Sequence, residues 1–209
     1  MGINKTMIVI GLTGNIGMGK STTAQMLRRM GLPIFDADKA VHGLLAAQGT
    51  LGKQAVAQIS AIFPDSLLDG KINRQKLGQI VFADHEKLRR LEKILHPKID
   101  TIRQKFLATH RRHRRRFVVL DMPLLFEIHK EYLCDQILVV HAPDFIQSQR
   151  VLARPGMTQA RFAAIRAQQW PSQRKCRLAD LVLPTGLGKA YTMRQLQKYF
   201  SRGHKEVKS

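Results

Sequence analysis

The sequence predicts an α/β fold in which a parallel sheet is covered by helices on both faces. Short apolar runs of strand length alternate along the chain with stretches whose apolar residues recur at helical spacing, an alternation typical of parallel sheets. Of the 209 residues, 44% are hydrophobic, which suffices for a core without a disulfide scaffold or a structural metal. The length favours one domain with an insertion over two equal domains.

Five apolar runs are predicted to form the strands of this sheet. The first reads MIVIGL and is almost continuously apolar, as expected of a strand that is buried on both faces. The third and fourth are rich in valine and isoleucine, which favour strands. The predicted strands are residues 7–12, 33–35, 117–120, 136–140 and 181–183.

Helical periodicity fills the segments between the predicted strands. Residues 21–30 carry apolar side chains at helical spacing directly after a glycine-rich segment. The region of about 50–113 is predicted to be helical throughout, and it therefore forms an insertion between the second and third strands. The other predicted helices are residues 144–154, 158–169 and 189–200.

The chain is strongly basic and carries no signal for a membrane. Its 35 Lys and Arg against 15 Asp and Glu give a net charge of +20 at pH 7, which favours anionic partners without choosing among metabolites, nucleic acid and acidic lipid. No apolar run approaches the roughly 20 residues of a membrane-spanning helix. Cys134 and Cys176 show no disulfide or zinc-ligand spacing, which predicts a cytoplasmic location.

A phosphate-binding loop is predicted between the first strand and the first helix. Residues 14–21 read GNIGMGKS and match G-x-x-x-x-G-K-[ST] in full, a motif whose backbone N–H groups cradle phosphates. Lys20 is expected to reach the β and γ phosphates of ATP, and the Ser21 hydroxyl to ligate Mg²⁺. The predicted nucleotide-binding residues of the loop are Gly14, Asn15, Ile16, Gly17, Met18, Gly19, Lys20, Ser21 and Thr22.

Asp121 ends the third predicted strand and is the candidate second acidic group near Mg²⁺. The alternative is a plain strand-end or helix-capping aspartate. The residues after Asp121 contain no D-x-x-G, and N-K-x-D is absent from the chain. The sequence therefore does not predict a GTPase.

Two further carboxylates, Asp36 and Asp38, stand just beyond the second predicted strand. They fall at the carboxyl edge of the sheet, where ligands of α/β proteins bind. A hydroxyl group that accepts a phosphoryl group needs a carboxylate to orient it and take its proton. Because alternate residues of an extended chain point to opposite sides, one carboxylate can face the site while the other caps the following helix. The spacing leaves open which does which.

Arginines after the fourth strand predict a helical lid over residues 144–169. Arg150 and Arg154 are four residues apart and therefore share one helix face. Arg161 and Arg166 lie on the next predicted helix. An arginine placed on the transferring phosphoryl group accelerates phosphoryl transfer, and a solvated surface arginine is the alternative for each of the four.

Several separate motifs follow one another in order over residues 7–200. They are Gly11–Gly14 continuing to Lys20–Thr22, Asp36–Asp38, Asp69-Gly70 with Arg74, Leu95–Pro97, Pro123–Glu127, Gln149-Arg150 with Arg154, and Ala179-Asp180. Together they resemble the dephospho-CoA kinase family. The resemblance implies a P-loop kinase-like three-layer α/β fold with a five-stranded parallel sheet, a helical insertion and a helical lid. It implies a single domain over residues 1–209, with a core at about 7–48 and 117–200, an acceptor-binding insertion at about 50–113, and the lid.

The resemblance also implies an activity and roles for individual residues. Members of the family use ATP and Mg²⁺ to phosphorylate the ribose 3′-hydroxyl of dephospho-CoA, giving CoA and ADP. Asp38 matches the proposed catalytic base, and Lys20 and Arg150 complete the implied catalytic set, with Arg150 and Arg154 also binding the nucleotide. The implied substrate-binding residues are Asp36, Asp38, Arg74, His96, Pro97, Leu125 and Glu127. An alternative for His96 is that it caps a helix beginning after Pro97.

This chain departs from the family pattern at four places. One is Pro155, which stands between the lid helices in place of a common acidic residue and is expected to stiffen closure. Asn15 stands where the family usually has glycine and Met18 where it usually has serine. The segment Leu183–Gly186 lacks the asparagine usually found near the end of the fifth strand. None of these departures removes a group that the chemistry requires.

Two rival functions are less well supported. One is a small P-loop kinase that acts on a nucleoside monophosphate or a small alcohol. The other is nucleic-acid binding, prompted by the run His110–Arg116 and the +20 charge. That run lacks interleaved aromatics for base stacking and suits a solvated helix terminus, so nucleic acid is expected to bind only as an incidental electrostatic partner. The oligomeric state is left open.

Overall fold

The computed structural model describes residues 7–82 and 84–201. Its main sheet has five strands and is parallel, which confirms the predicted fold class. All five predicted strands are present, with ends that differ by about one residue. In spatial order they are β2 (Ile34–Asp36), β5 (Phe117–Asp121), β1 (Ile8–Thr13), β6 (Gln136–His141) and β7 (Leu181–Pro184). A second, two-stranded sheet pairs β3 (Leu67–Leu68) with β4 (Lys71–Ile72).

The central strand β1 is hydrogen-bonded on both edges, to β5 and to β6, in parallel register. Its side chains Ile10 and Leu12 are fully buried, and so are Val119 of β5 and Leu138 of β6. A strand with covered faces on both sides needs apolar residues at consecutive positions, which explains why the run MIVIGL shows no alternation. The carboxyl end of β1 leads directly into the phosphate loop.

Two compact units make up the chain, Met1–Phe35 with His113–Ser209, and Asp36–Arg112. That they act as a single kinase domain with an insertion and a lid stays a prediction. The helices of the first unit are α1 (Lys20–Arg29), α6 (Asp144–Leu152), α7 (Gln159–Ala167), α8 (Ser172–Leu178) and α9 (Lys189–Ser201). Of these, α8 was not predicted, because its sequence SQRKCRL is mostly polar and shows no apolar period.

The second unit contains α2 (Ala37–Leu45), α3 (Gly49–Ile62), α4 (Arg74–Phe82) and α5 (His85–Arg112) around a core of its own. The prediction that this region is helical throughout is wrong at the β3–β4 hairpin. Asp69 and Gly70 form its turn, with φ values of 48° and 70°, in the left-handed region that such a turn requires. Strands of two residues are too short to show a period of two.

The helix α5 runs unbroken through Pro97, so the alternative that His96 caps a new helix is wrong. The helix ends at Arg112, and residues 111–116 are all exposed. This agrees with the prediction that the basic run is a solvated helix terminus. Among the residues that the structure describes, no helix combines the length and the apolar character needed to cross a membrane.

A buried hydrogen bond joins α9 to the sheet. The Tyr199 hydroxyl donates to Oε1 of Gln136 at 2.8 Å, and burial raises the pKa of Tyr199 above its usual range. The hydroxyl therefore stays protonated and donating at neutral pH.

We expect Tyr199→Phe to lower the free energy of unfolding by about 1–3 kcal/mol, because a buried acceptor on β6 loses its donor. Urea unfolding followed by circular dichroism would measure this. Tyr132→Phe is the matched control, since the Tyr132 side chain is exposed. Equal losses of unfolding free energy in the two variants would contradict a stabilising role for the hydrogen bond between Tyr199 and Gln136.

Candidate active site

The phosphate loop between β1 and α1 has the backbone conformation that its glycines predict. Gly17 and Gly19 have φ values of 77° and 92°, in the region that disfavours side chains. A Cβ atom at Gly17 would lie 3.0 Å from the Gln147 carbonyl oxygen, and one at Gly19 would lie 3.1 Å from the Thr185 side chain. Glycine is therefore required at both positions by conformation and by space.

Lys20 and Asp121 form an ion pair at the base of this loop. Their side chains are 17% and 5% exposed, and Nζ lies 2.6 Å from Oδ1. Asp121 ends β5 and lies opposite Leu12 of β1 in the parallel register, whereas Lys20 is the first residue of α1. The topology thus brings together the lysine and the acidic group that the sequence predicted separately.

On the other side of the loop, Arg150 is tied to the end of β7. Its guanidinium donates to the Thr185 carbonyl at 2.8 Å and to Oγ1 of Thr185 at 3.1 Å. The Thr185 hydroxyl in turn donates to the Met18 carbonyl at 2.7 Å. Thr185 lies in the segment that departs from the family pattern. No sequence motif marks a threonine that holds an arginine against a loop, so Thr185 was not predicted as a site residue.

We expect Thr185→Val to raise the KM for ATP about tenfold, because two hydrogen bonds that hold Arg150 and Met18 together depend on its hydroxyl. Steady-state kinetics with varied ATP would measure this. Thr192→Val is the control, since the buried Thr192 hydroxyl of α9 lies within hydrogen-bond distance of the Gly188 and Pro184 carbonyls instead of Arg150 and Met18. An unchanged KM in Thr185→Val would contradict the role of this contact.

The tip of the phosphate loop contacts the segment between α7 and α8. The Asn15 side-chain amide donates to the Trp170 carbonyl at 2.9 Å, and the Ile16 backbone N–H donates to Oε1 of Gln169 at 3.0 Å. From α6, Nε2 of Gln147 donates to the Ile16 carbonyl at 2.7 Å. A cavity of about 170 Å³ lies beside these groups. Gln147, Gln169 and Trp170 belong to no recognised motif, so sequence alone did not identify them.

The motif after β5 is placed largely in the interior of the first unit. Leu125 is fully buried, and the Glu127 side chain is 10% exposed. Oε1 of Glu127 lies 2.7 Å from Nζ of Lys175 and accepts the Trp170 backbone N–H at 2.8 Å. The substrate contacts implied for Leu125 and Glu127 stay predictions.

The predicted lid helices α6 and α7 are present, but α6 ends at Leu152, so the prediction that Arg154 shares a helix face with Arg150 is wrong. Arg154 is exposed. Arg161 donates to the Gly156 carbonyl at 3.4 Å. Arg166 lies 3.8 Å from Asp144, and the side chains of Arg166 and Asp144 are each about half exposed. Such exposed pairs contribute little to stability, so the arginines are available to a ligand.

In the second unit, the structure separates the two carboxylates that follow β2. Asp36 caps α2, because its Oδ1 accepts the Lys39 backbone N–H at 2.9 Å. Asp38 lies in the first turn of α2 and is exposed. The capping role that the sequence left open therefore belongs to Asp36, and the Asp38 carboxylate is accessible to an acceptor.

The other predicted acceptor residues of this unit are also at its surface. Arg74 begins α4, and its Nη1 lies 3.5 Å from Nδ1 of His42 on α2. His96 and Pro97 are exposed on α5. His42 was not selected from the sequence, because its proximity to Arg74, 32 positions later, appears only in the folded unit.

The Ala179-Asp180 motif has a structural role in the first unit. Oδ2 of Asp180 accepts the Ile137 backbone N–H at 2.8 Å, and the Asp180 backbone N–H donates to the Ile137 carbonyl at 3.0 Å. The carboxylate thus satisfies a backbone donor near the start of β6. Asp180 also fixes the position of the chain directly before β7 begins.

Known proteins resemble this chain over most of its length. A family model described as dephospho-CoA kinase matches residues 8–187. Proteins named dephospho-CoA kinase include one from Paramagnetospirillum magneticum, 53% identical over 81% of this chain and 78% of that protein. Another, from Rhodospirillum rubrum, is 50% identical over 91% of this chain and 89% of that protein.

Solved structures show the same fold. The structure of TT1252 from Thermus thermophilus has a TM-score of 0.80 at 33% identity and covers 95% of this chain and 99% of that one. A dephospho-CoA kinase from Campylobacter jejuni has a TM-score of 0.63 at 22% identity and covers 93% of this chain and 96% of that one. The phosphate loop, its lysine–aspartate pair and these relationships establish that this chain belongs to the dephospho-CoA kinase family.

Proposed function

We propose that this kinase transfers the γ-phosphoryl group of ATP to the ribose 3′-hydroxyl of dephospho-CoA, giving CoA and ADP. The observation that carries the proposal is the phosphate loop whose Lys20 ammonium lies 2.6 Å from the buried Asp121 carboxylate, in a member of this family. The cytoplasmic location predicted from cysteine usage belongs to the same proposal. In the described part of the chain, Cys134 and Cys176 are not joined in a disulfide.

The nucleotide side of the reaction is assigned to the first unit. The loop from Gly14 to Thr22 would bind the phosphates through backbone N–H groups, and the N-terminus of α1 adds a positive partial charge there. Lys20 and Arg150 are proposed to balance the charge that develops on the γ-phosphoryl group during transfer. Arg154 is proposed as a further nucleotide contact.

The donor set beside the loop fits Mg²⁺, since it offers the hydroxyl of the exposed Ser21 and the Asp121 carboxylate. Oxygen ligands of this type, in small number, suit an ion that otherwise binds phosphate oxygens and water. Ser21 and Asp121 are the residues proposed to hold it. When bound, Mg²⁺ would neutralise negative charge on the phosphates.

The acceptor side is assigned to Asp38, which we propose orients the 3′-hydroxyl and takes its proton as the phosphoryl group transfers. Asp36 supports this role by fixing the first turn of α2 through its cap. The further substrate contacts proposed are Arg74, His96, Pro97, Leu125 and Glu127. What supports this set is the exposure of Asp38, Arg74, His96 and Pro97 together with membership of the family.

The deciding experiment offers Mg·ATP with dephospho-CoA, AMP and adenosine as separate acceptors. ADP release would be followed, and the product mass would be checked for one added phosphate. We expect turnover with dephospho-CoA alone, and turnover lowered about 10²–10³-fold in Lys20→Ala. Phosphorylation of AMP in its place would keep the loop chemistry and overturn the proposed acceptor.

A further inference from the structure

We propose that the buried ion pair between Glu127 and Lys175, acting through Trp170, positions the tip of the phosphate loop. The inference deepens the proposed function and rests on its nucleotide site. Lys175 lies on α8, and its side chain is 0% exposed. A charged lysine so deeply buried is stable only where a counter-charge compensates its lost hydration. The Glu127 carboxylate, with Oε1 at 2.7 Å, supplies that counter-charge.

The same carboxylate oxygen connects the ion pair to Trp170. Oε1 of Glu127 accepts the Trp170 backbone N–H at 2.8 Å, so the oxygen that lies 2.7 Å from the Lys175 ammonium also holds the chain between α7 and α8. The indole ring is fixed as well. It stacks on Phe126 with ring centroids 5.9 Å apart, and the Arg174 guanidinium lies 3.6 Å from its centroid. Such stacking and cation–π contacts hold an aromatic ring in one orientation.

From this anchored segment, two hydrogen bonds reach the phosphate loop. The Trp170 carbonyl accepts the Asn15 side-chain amide at 2.9 Å, and Oε1 of Gln169 accepts the Ile16 backbone N–H at 3.0 Å. Both contacts fall on the turn that precedes Gly17. A loop that binds phosphate through backbone N–H groups depends on having those groups oriented beforehand.

A buried ion pair suits this task because it has few alternative geometries. Removing either partner leaves the other charge buried and uncompensated, so Glu127 has little freedom to release Trp170. Exposed pairs such as Glu86 with Arg90, at 3.1 Å on α5, rearrange readily and hold nothing in place. Glu127 and Lys175 are thus positioning residues, and neither needs to touch a substrate.

This role differs from the acceptor contact that the resemblance implies for Glu127, and the two make different predictions. An acceptor contact predicts that a Glu127 variant raises the KM for dephospho-CoA and that Lys175 variants do not. The positioning role predicts that variants of both residues weaken nucleotide binding.

The test uses the double variant Glu127→Leu/Lys175→Met, because replacing a buried ion pair by apolar residues of similar size largely preserves stability. Trp170 is the single tryptophan of the chain, so its fluorescence reports on the anchored segment during titration with ADP. We expect a urea midpoint close to that of the wild type, a Kd for ADP raised about tenfold, and an altered Trp170 emission response. Glu86→Gln is the control, with an unchanged Kd.

Gln169→Ala provides an independent measurement, because it removes the Ile16 contact from a partly exposed position and leaves the ion pair intact. Its Kd for ADP is expected to rise severalfold. A Kd within twofold of the wild type in both the double variant and Gln169→Ala would overturn the inference, as would a change confined to the KM for dephospho-CoA. Because ADP binding is measured, the result stands whichever acceptor the enzyme phosphorylates.

Discussion

Replacing Asp38 by asparagine is expected to lower kcat about 10²–10⁴-fold, because a positioned general base contributes an effect of that size. Asparagine keeps the shape of the side chain and removes its ability to take a proton. The Kd for ATP is expected to change less than twofold, since Asp38 is an exposed residue of α2 assigned to the acceptor. Steady-state turnover and nucleotide titration would separate the two effects.

The matched control is Asp36→Asn, two residues earlier. Asp36 caps α2 through its Oδ1, and asparagine caps helices about as well as aspartate. This variant should therefore retain most of its stability, and its loss of turnover should be much smaller than that of Asp38→Asn, because asparagine keeps both the cap and a hydrogen-bonding side chain. Equal losses of kcat in the two variants, or an equal loss of turnover and nucleotide affinity in Asp38→Asn, would remove Asp38 as the base.

The second large effect is expected at Lys20. Changing it to methionine removes a cation from the phosphate site, and loss of one such electrostatic group lowers kcat about 10²–10³-fold. It also deprives the Asp121 carboxylate of an ion-pair partner at 2.6 Å. Breaking a buried pair in this way costs up to about 3–5 kcal/mol. Turnover and urea unfolding would measure the two effects on one preparation.

Lys20→Arg separates the contribution of the lysine to turnover from its contribution to stability. It retains the positive charge beside Asp121, and we expect most of the stability to be retained with it. The planar guanidinium does not reproduce the compact ammonium group, so turnover should remain low. A Lys20→Met enzyme with wild-type turnover would overturn the placement of the phosphate site.

Much of the first unit could be predicted because its sequence signals are local. A strand buried on both faces shows a continuous apolar run, as β1 does. The loop after it needs glycines at Gly17 and Gly19, where positive φ and close neighbours exclude side chains. Signals of this kind lie within a few neighbouring residues, and they identified the loop, Lys20 and the strand ending in Asp121.

What sequence alone did not reveal depends on contacts between distant segments. Lys175 lies in a short, basic helix and resembles a surface lysine until Glu127, from a different part of the chain, is placed beside it. Thr185 becomes significant only through its bonds to Arg150 and Met18. The β3–β4 hairpin was missed because strands of two residues carry no period.

The order of the strands affects how the protein folds during its synthesis on the ribosome. The strand β1 is synthesised before its neighbours β5 and β6, which lie more than a hundred positions later, with Ile8 opposite Phe117. Synthesis proceeds at about 5–20 residues per second, so roughly 5–20 s pass between the synthesis of β1 and that of β5, its first partner strand. Lys20 and Asp121 are separated by 101 positions, so the nascent chain lacks its phosphate site for the same interval. During that time the apolar β1 has no neighbouring strand to cover it, and exposed apolar strands are prone to aggregation.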